Sequence, residues 1–341
     1  MRDGCKGSKQ NAARRHHFNP RMLLAGFTES GTNRGFPWVF DAVLSKPERR
    51  TPKGVAWETD YYTIDIPGEP PDFAEQVFGS IENAAAPVIR EKVNKRALPA
   101  RQSEAFANLR YFLALMYVRV PRWRQLVTPI PAQMIDLALS QAFSTPERWA
   151  ATQEAMKEAG YRESGSSYDE LKKYIEGEGV GPRIANPGPV HVQQIAGALK
   201  FLPQVLAQRN WCLLVAADSA PDFVSSDCPA SLVWSPKDEA QLGSVGLGFR
   251  ETEVAFAVHR RLALLGMFET IKDTFTADAR FVADINWRTA RYATRYVYGP
   301  EDDFTMLSRD ARFLSAADWF AERKADQRRE GRVQRRGNGK E

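Results

Sequence analysis

The feature that most limits what this chain can fold into is a change of hydrophobic period at Trp211. Before it, apolar residues recur mostly at intervals of three and four. After it they gather into short runs, WCLLVAAD, DFVSSD, SLVW, ETEVAFAV and RLALLGMF, separated by turn residues. The first pattern puts apolar side chains on one face of a helix, and the second is that of strands. Strands in close succession, with no helix between them, argue for antiparallel pairing. The expected fold class is therefore α+β: helix-rich, with an antiparallel sheet formed mainly by the C-terminal half. An earlier run, Trp38 to Leu44, also reads as a strand, and its partners have to come from that half. This favours a single α+β domain over residues 14–322, with a disordered basic lead-in at 1–13 and a basic tail at 323–341.

Local signals place the helices. Asn19 reads as an N-cap and Pro20 as a first helical position, for a helix to about Phe27. Asp72 and Glu75 form a capping-box pattern ahead of a stripe through Phe73, Val77, Ile81, Ala85 and Val88, which Pro87 is expected to kink or divide. Ser103 precedes a second stripe through Phe106, Leu109, Phe112, Leu113 and Met116, ending near Pro121. Thr145-Pro146 opens another helix, and Asp169 to Tyr174 is helical. Gly177 to Pro189 reads as a loop. Val190 to Gln208 is helical with a perturbation at Pro203, and the last helix carries Ile285, Thr289, Tyr292 and Tyr296.

Charge is informative once divided along the chain. Of 47 Lys/Arg and 42 Asp/Glu, residues 1–21 hold six basic against one acidic, and residues 323–341 hold eight against three. The ends are basic and the body between them is mildly acidic. Basic termini would attract nucleic acid, although the bland account is a solvated tail that aids solubility. Cys5, Cys212 and Cys228 are too few and too scattered for a disulfide framework or a zinc site, and four histidines exclude a His-rich metal cage. No apolar run approaches the roughly 20 residues needed to span a bilayer. The N-terminal residues lack the apolar core of a signal peptide. The expectation is a cytoplasmic protein with no membrane contact.

Six short segments carry a resemblance. They are His17-Phe18-Asn19-Pro20 running into Leu24 and Phe27, then ETDYYTID, SIENAAAPVI, YVRVPRWR, FVSSDCP and DINWRTARYATRYVYG. In this order they are similar to the segments of domain-of-unknown-function family 4238, from about Arg15 to Gly299. Two departures stand out. Cys228 occupies the place of an Asn in the family's S-D-N-P strand end, and AVHRRLALL replaces a Pro-Leu-Ser strand. The resemblance implies a fold and the position of a site, and it brings no established activity.

The polar residues of these segments are the candidates. His17, Asp227 and Glu82 suit a hydrolase in which His17 and Asp227 bind a divalent metal, or act as base and orienting acid. Arg119 and Asn286 would hold an anionic substrate, with a phosphodiester as the expected class. The bland readings are a loop-bracing His17, a turn-capping Asp227, a solvent-facing Glu82, a structural ion pair of Arg119 with Glu82 or Asp227, and a capping Asn286. If these hold, the chain is a non-catalytic binding or effector protein. A third reading, a hydrolase using Cys228 or Ser226, requires either within reach of His17. No G-x-S-x-G elbow surrounds Ser226, and GSVGLGF matches no phosphate-binding loop.

Overall fold

The computed structural model describes residues 14–44, 46–162, 165–175, 177, 187–235, 245–308 and 310–325. The expected lead-in at 1–13, most of the Gly177 to Pro189 loop and the tail beyond residue 325 lie outside the described residues.

The N-terminal half begins with β1 (Arg15–His17), α1 (Arg21–Ala25), β2 (Trp38–Asp41), β3 (Lys46–Arg49) and β4 (Trp57–Thr59). Helices follow: α2 (Phe73–Lys95), α3 (Glu104–Val118), α4 (Pro121–Val127), α5 (Ile130–Ala142), α6 (Pro146–Glu158), α7 (Tyr168–Ile175), α8 (Pro187–Leu199) and α9 (Leu202–Ala207). Strands then dominate, as β5 (Asn210–Ala216), β6 (Ser225–Ser226), β7 (Ala230–Trp234), β8 (Thr252–His259), β9 (Leu262–Met267) and β10 (Thr274–Ala277). The chain continues through α10 (Ala279–Tyr292), β11 (Tyr296–Gly299), β12 (Met306–Leu307), β13 (Phe313–Leu314) and a helical stretch at 316–325. The α+β class is as the change of period implies.

The larger sheet has the order β10-β5-β9-β8-β7. Its neighbours are antiparallel except β10 and β5, which run parallel. The exception follows from the connection: the chain leaves β9, passes the end of β5 and returns on its far side. β2 does find its partner in the C-terminal half, at β11, with Trp38 opposite Gly299 and Val39 opposite Tyr298. That pairing belongs to a second sheet of order β3-β2-β11-β6. β2 stops at Asp41, and Val43 and Leu44 are exposed. β1 pairs with β4 as a separate two-stranded ribbon.

β5 is buried from Trp211 to Ala216, and β8 is nearly so throughout. A strand covered on both faces loses the polar alternation of a half-exposed one, which explains the continuous apolar runs. Helix α3 supplies much of the cover, with the Phe112 ring edge-on to Phe256 at a centroid separation of 6.1 Å. One apolar cluster includes residues from Phe18 to Tyr298. Each fully buried Leu or Phe in it contributes about 1.5–3 kcal/mol. A smaller cluster joins Phe40, Val224, Val297 and Trp319. Among the described residues, no helix is long and apolar enough to cross a membrane.

Several boundaries differ from the expectation. Pro20, not Asn19, is the N-cap of α1, because the Asn19 amide donates to the Ser226 carbonyl at 2.6 Å instead. Pro87 does not divide α2; it and Asn83, whose carbonyl it leaves without a helical donor, both face solvent. The buried face of α2 is Ala74, Phe78, Ala85 and Val88, with Val77 exposed. The helix expected over Val190 to Gln208 breaks at Lys200 and Phe201, so Pro203 falls in the first turn of α9. The helix expected to run through Tyr296, α10, ends at Tyr292, and Tyr296 opens β11. Ser103 and Thr145 cap as expected, accepting from Phe106 N and Arg148 N at 3.2 Å each.

Candidate functional site

Arg119 stands at the C-cap of α3, one residue before an extended Val120 that Pro121 holds out of the helical region. The turn directs its side chain inward, where it is fully buried. Nη1 pairs with Glu82, Nη2 donates to the His17 carbonyl, and Nε lies 3.3 Å from the Tyr62 hydroxyl. That hydroxyl donates to the Arg119 carbonyl at 2.7 Å. Glu75 is 3.8 Å from Nη2. Glu75, Phe78 and Glu82 share one face of α2, so the helix delivers two carboxylates and a ring to one guanidinium. Burial opposes the Arg119 charge, but Tyr62, Glu82 and Glu75 outweigh it and push its pKa up. Burial raises the Glu75 carboxyl, and Arg119 draws it back.

Two histidines of β1 point to opposite sides, as strand geometry requires. His16 Nδ1 accepts from Tyr62 N at 2.8 Å, and its ring stacks on Tyr62 at 5.8 Å. His17 Nε2 faces the Lys53 carbonyl at 3.4 Å. Burial, with Arg21 adding, lowers the His17 pKa to about 4. His191, fully buried beside Tyr61, is lowered to about 4 in the same way.

Asp227 follows β6 and is almost completely buried. Its carboxylate accepts from the backbone N–H groups of Thr294, Arg295 and Tyr296 at 2.8, 2.7 and 3.2 Å. This draws the chain out of α10 and into β11. Burial pushes the carboxyl up to about 6, against the pull of those three donors. Ser226 Oγ accepts from Cys228 N at 3.1 Å and donates to the Cys228 carbonyl at 2.8 Å. Cys228 Sγ contacts Thr294 Oγ1 at 3.3 Å, and burial pushes its thiol up to about 12. Asn286 lies mid-helix and fully buried, bonded to Val224 N, the Asp222 carbonyl and the Thr305 carbonyl. It does not cap α10; Asp278 does.

The structure thus joins Arg119, Glu82 and the backbone of His17. Asp227 and Asn286 have their own backbone partners elsewhere. Among the described residues, no group of three or more His, Cys, Asp or Glu is arranged to hold a metal ion.

Five of the six segments meet instead around an open cleft of about 400 Å³. Phe18, Glu58, Pro121, Asp227, Arg295 and Tyr298 all line it. They come from five of the six, and the remaining segment supplies Glu82 to Arg119. Arg50 and Arg295 stand at its edge with side chains 36% and 45% exposed. Arg50 uses Nε and Nη2 for Glu48, and Arg295 uses the same edge for Asp41, at 2.9 and 2.8 Å. The Nη1 side of each remains outside these pairs. The Tyr298 hydroxyl is buried and has no protein partner among the described residues. Sequence reasoning missed Arg50, Arg295, Tyr298, Glu75 and Tyr62. All but Arg50 sit inside the family-like segments or a cap pattern, where only the fold shows which way they face.

No curated protein and no solved structure matches the chain. A family model described as protein of unknown function (DUF4238) matches residues 15–303. The chain belongs to this family.

Proposed function

We propose that the protein binds an anionic partner, and that its Arg119 cluster holds the fold together without taking part in chemistry. The observation that carries this reading is the contrast between its arginines. Arg119 has Nε, Nη1 and Nη2 all engaged inside the fold, whereas Arg50 and Arg295 line an open cleft and keep Nη1 outside their carboxylate pairs. A guanidinium with one edge fixed by a carboxylate is pre-organised to receive an anion on the other. Nucleic acid is the anion that the basic chain ends favour.

The hydrolase reading has less behind it. A base works best with a pKa near the working pH, and His17 lies at about 4. Its Nε2 faces a carbonyl, and both Asp227 oxygens face backbone N–H groups. The test pairs two measurements. Arg50→Glu is expected to weaken binding of a labelled oligonucleotide, read by fluorescence anisotropy, about tenfold or more at unchanged melting temperature. Arg119→Ala is expected to lose about 3–5 kcal/mol of stability, read by urea denaturation, because it strands buried partners. Metal-dependent phosphodiester cleavage that His17→Ala abolishes, with stability intact, would overturn the proposal in favour of the hydrolase.

A further inference from the structure

A second depression, of about 370 Å³, lies beside the cleft between β7, α4 and α10. Three partly exposed rings line it, Trp234, Trp287 and Tyr292, together with Arg122, Arg288 and Arg291. Arg288 is neutralised by Glu253 at 2.6 Å and Asp284 at 2.8 Å. Arg122 and Arg291 are exposed, and among the described residues neither has a carboxylate within 4.0 Å. Each lies over a ring instead: Arg122 is 4.2 Å from the Tyr292 centroid, and Arg291 is 5.5 Å from that of Trp287.

Two neighbouring features give this groove a direction. Pro121 and Thr294 line the cleft, while Arg122 and Tyr292 line the groove, so the Arg122–Tyr292 stack is the ridge between the two. On the other side, Arg291 continues into a small depression with Trp319, Glu322 and Arg323, close to the last described residue, 325. The basic tail of the sequence follows from there, with six Lys/Arg against three Asp/Glu over residues 326–341.

We infer that the groove is a binding site for unpaired bases of single-stranded nucleic acid, which rests on the nucleic-acid reading proposed above. Trp234 stacks on Phe249 at 5.7 Å, so Trp287 and Tyr292, each with a guanidinium on it, supply the rings beside cations that such a strand requires. Every base has a π-face to stack, and each phosphate needs a cation. A duplex hides its base faces and would meet only the arginines. A protein partner fits less well, because among the described residues Arg122 and Arg291 have no carboxylate beside them to confine them to one register.

The experiment uses the full chain and three labelled polyanions: a short oligothymidylate, the same strand annealed to its complement, and polyphosphate. Anisotropy titrations at fixed salt are expected to rank oligothymidylate first, by about tenfold over polyphosphate. Trp287→Ala is expected to remove that margin while leaving polyphosphate binding nearly unchanged, and Trp287→Phe to keep most of it. Arg122→Ala, at an exposed position, tests the same wall and is expected to weaken oligothymidylate binding whatever Trp287→Ala does to folding. Equal affinity for all three polyanions overturns the base site alone, as does a Trp287→Ala protein that is folded and binds normally. Absence of binding to any of the three overturns the nucleic-acid reading and this inference with it.

Discussion

At the scale of single residues, the buried titratable groups make a prediction whose sign can be worked out. His17 and His191 have folded values of about 4 against an ordinary 6.5. Below 6.5 the unfolded chain therefore binds more protons than the folded one, and stability is lost as the pH falls toward 4. Asp227 acts in the opposite sense, since its folded value of about 6 exceeds the ordinary 3.8. Between these values the folded state binds the extra proton, and acidification favours it. Two histidines outweigh one carboxyl, so the melting temperature is expected to fall between about pH 7 and about pH 4.5. His191→Gln is expected to flatten that fall, and Asp227→Asn to steepen it. A melting temperature independent of pH over this range, in the parent and both variants, would contradict the assignment. Residue by residue, an ion pair of Arg119 was legible only as a choice between Glu82 and Asp227, and the structure gives Glu82. The parts taken by Glu75 and Tyr62 were not, because the way a helix edge or a turn faces depends on packing from distant sequence.

At the scale of elements, period and capping chemistry carried most of the information. Ser103 and Thr145 start their helices because their hydroxyls accept from first-turn N–H groups that have no carbonyl four residues earlier within the helix. Two of the failures share one cause, a tertiary hydrogen bond that outcompetes a local one. Asn19 gives up its cap for the Ser226 carbonyl, and Asp227 takes the three N–H groups that would have prolonged α10. Pro87 is the reverse case, in which the helix is kept despite the local rule. A proline inside a helix costs about 3 kcal/mol relative to alanine when nothing compensates. The position is exposed, and an alanine N–H could bond to the Asn83 carbonyl. Pro87→Ala is therefore expected to raise stability by about 1–3 kcal/mol in urea denaturation. A drop in stability would mean that the proline ring contributes more at this position than the missing hydrogen bond costs.

At the scale of the whole molecule, charge and architecture are separable. Residues 22–322 carry five more acidic than basic side chains, so this body repels a polyanion except where arginines are grouped. Arg50 and Arg295 line the cleft on one side of the Arg122–Tyr292 ridge, and Arg291 lines the groove on the other. Residues 326–341 add six Lys/Arg and contain Val333 as their only large aliphatic residue, which leaves little apolar surface to bury. Removing them is expected to leave the melting temperature unchanged and to weaken oligonucleotide binding. On a single strand, the log–log salt dependence should become shallower by about 0.7 for each phosphate that the shortened chain no longer neutralises. Because the Trp287 groove stays in place, the truncated chain should still prefer oligothymidylate to polyphosphate, at lower affinity for both. A truncated protein with the same affinity and the same slope would show that the tail neutralises no phosphates, leaving the folded arginines to supply all of the attraction.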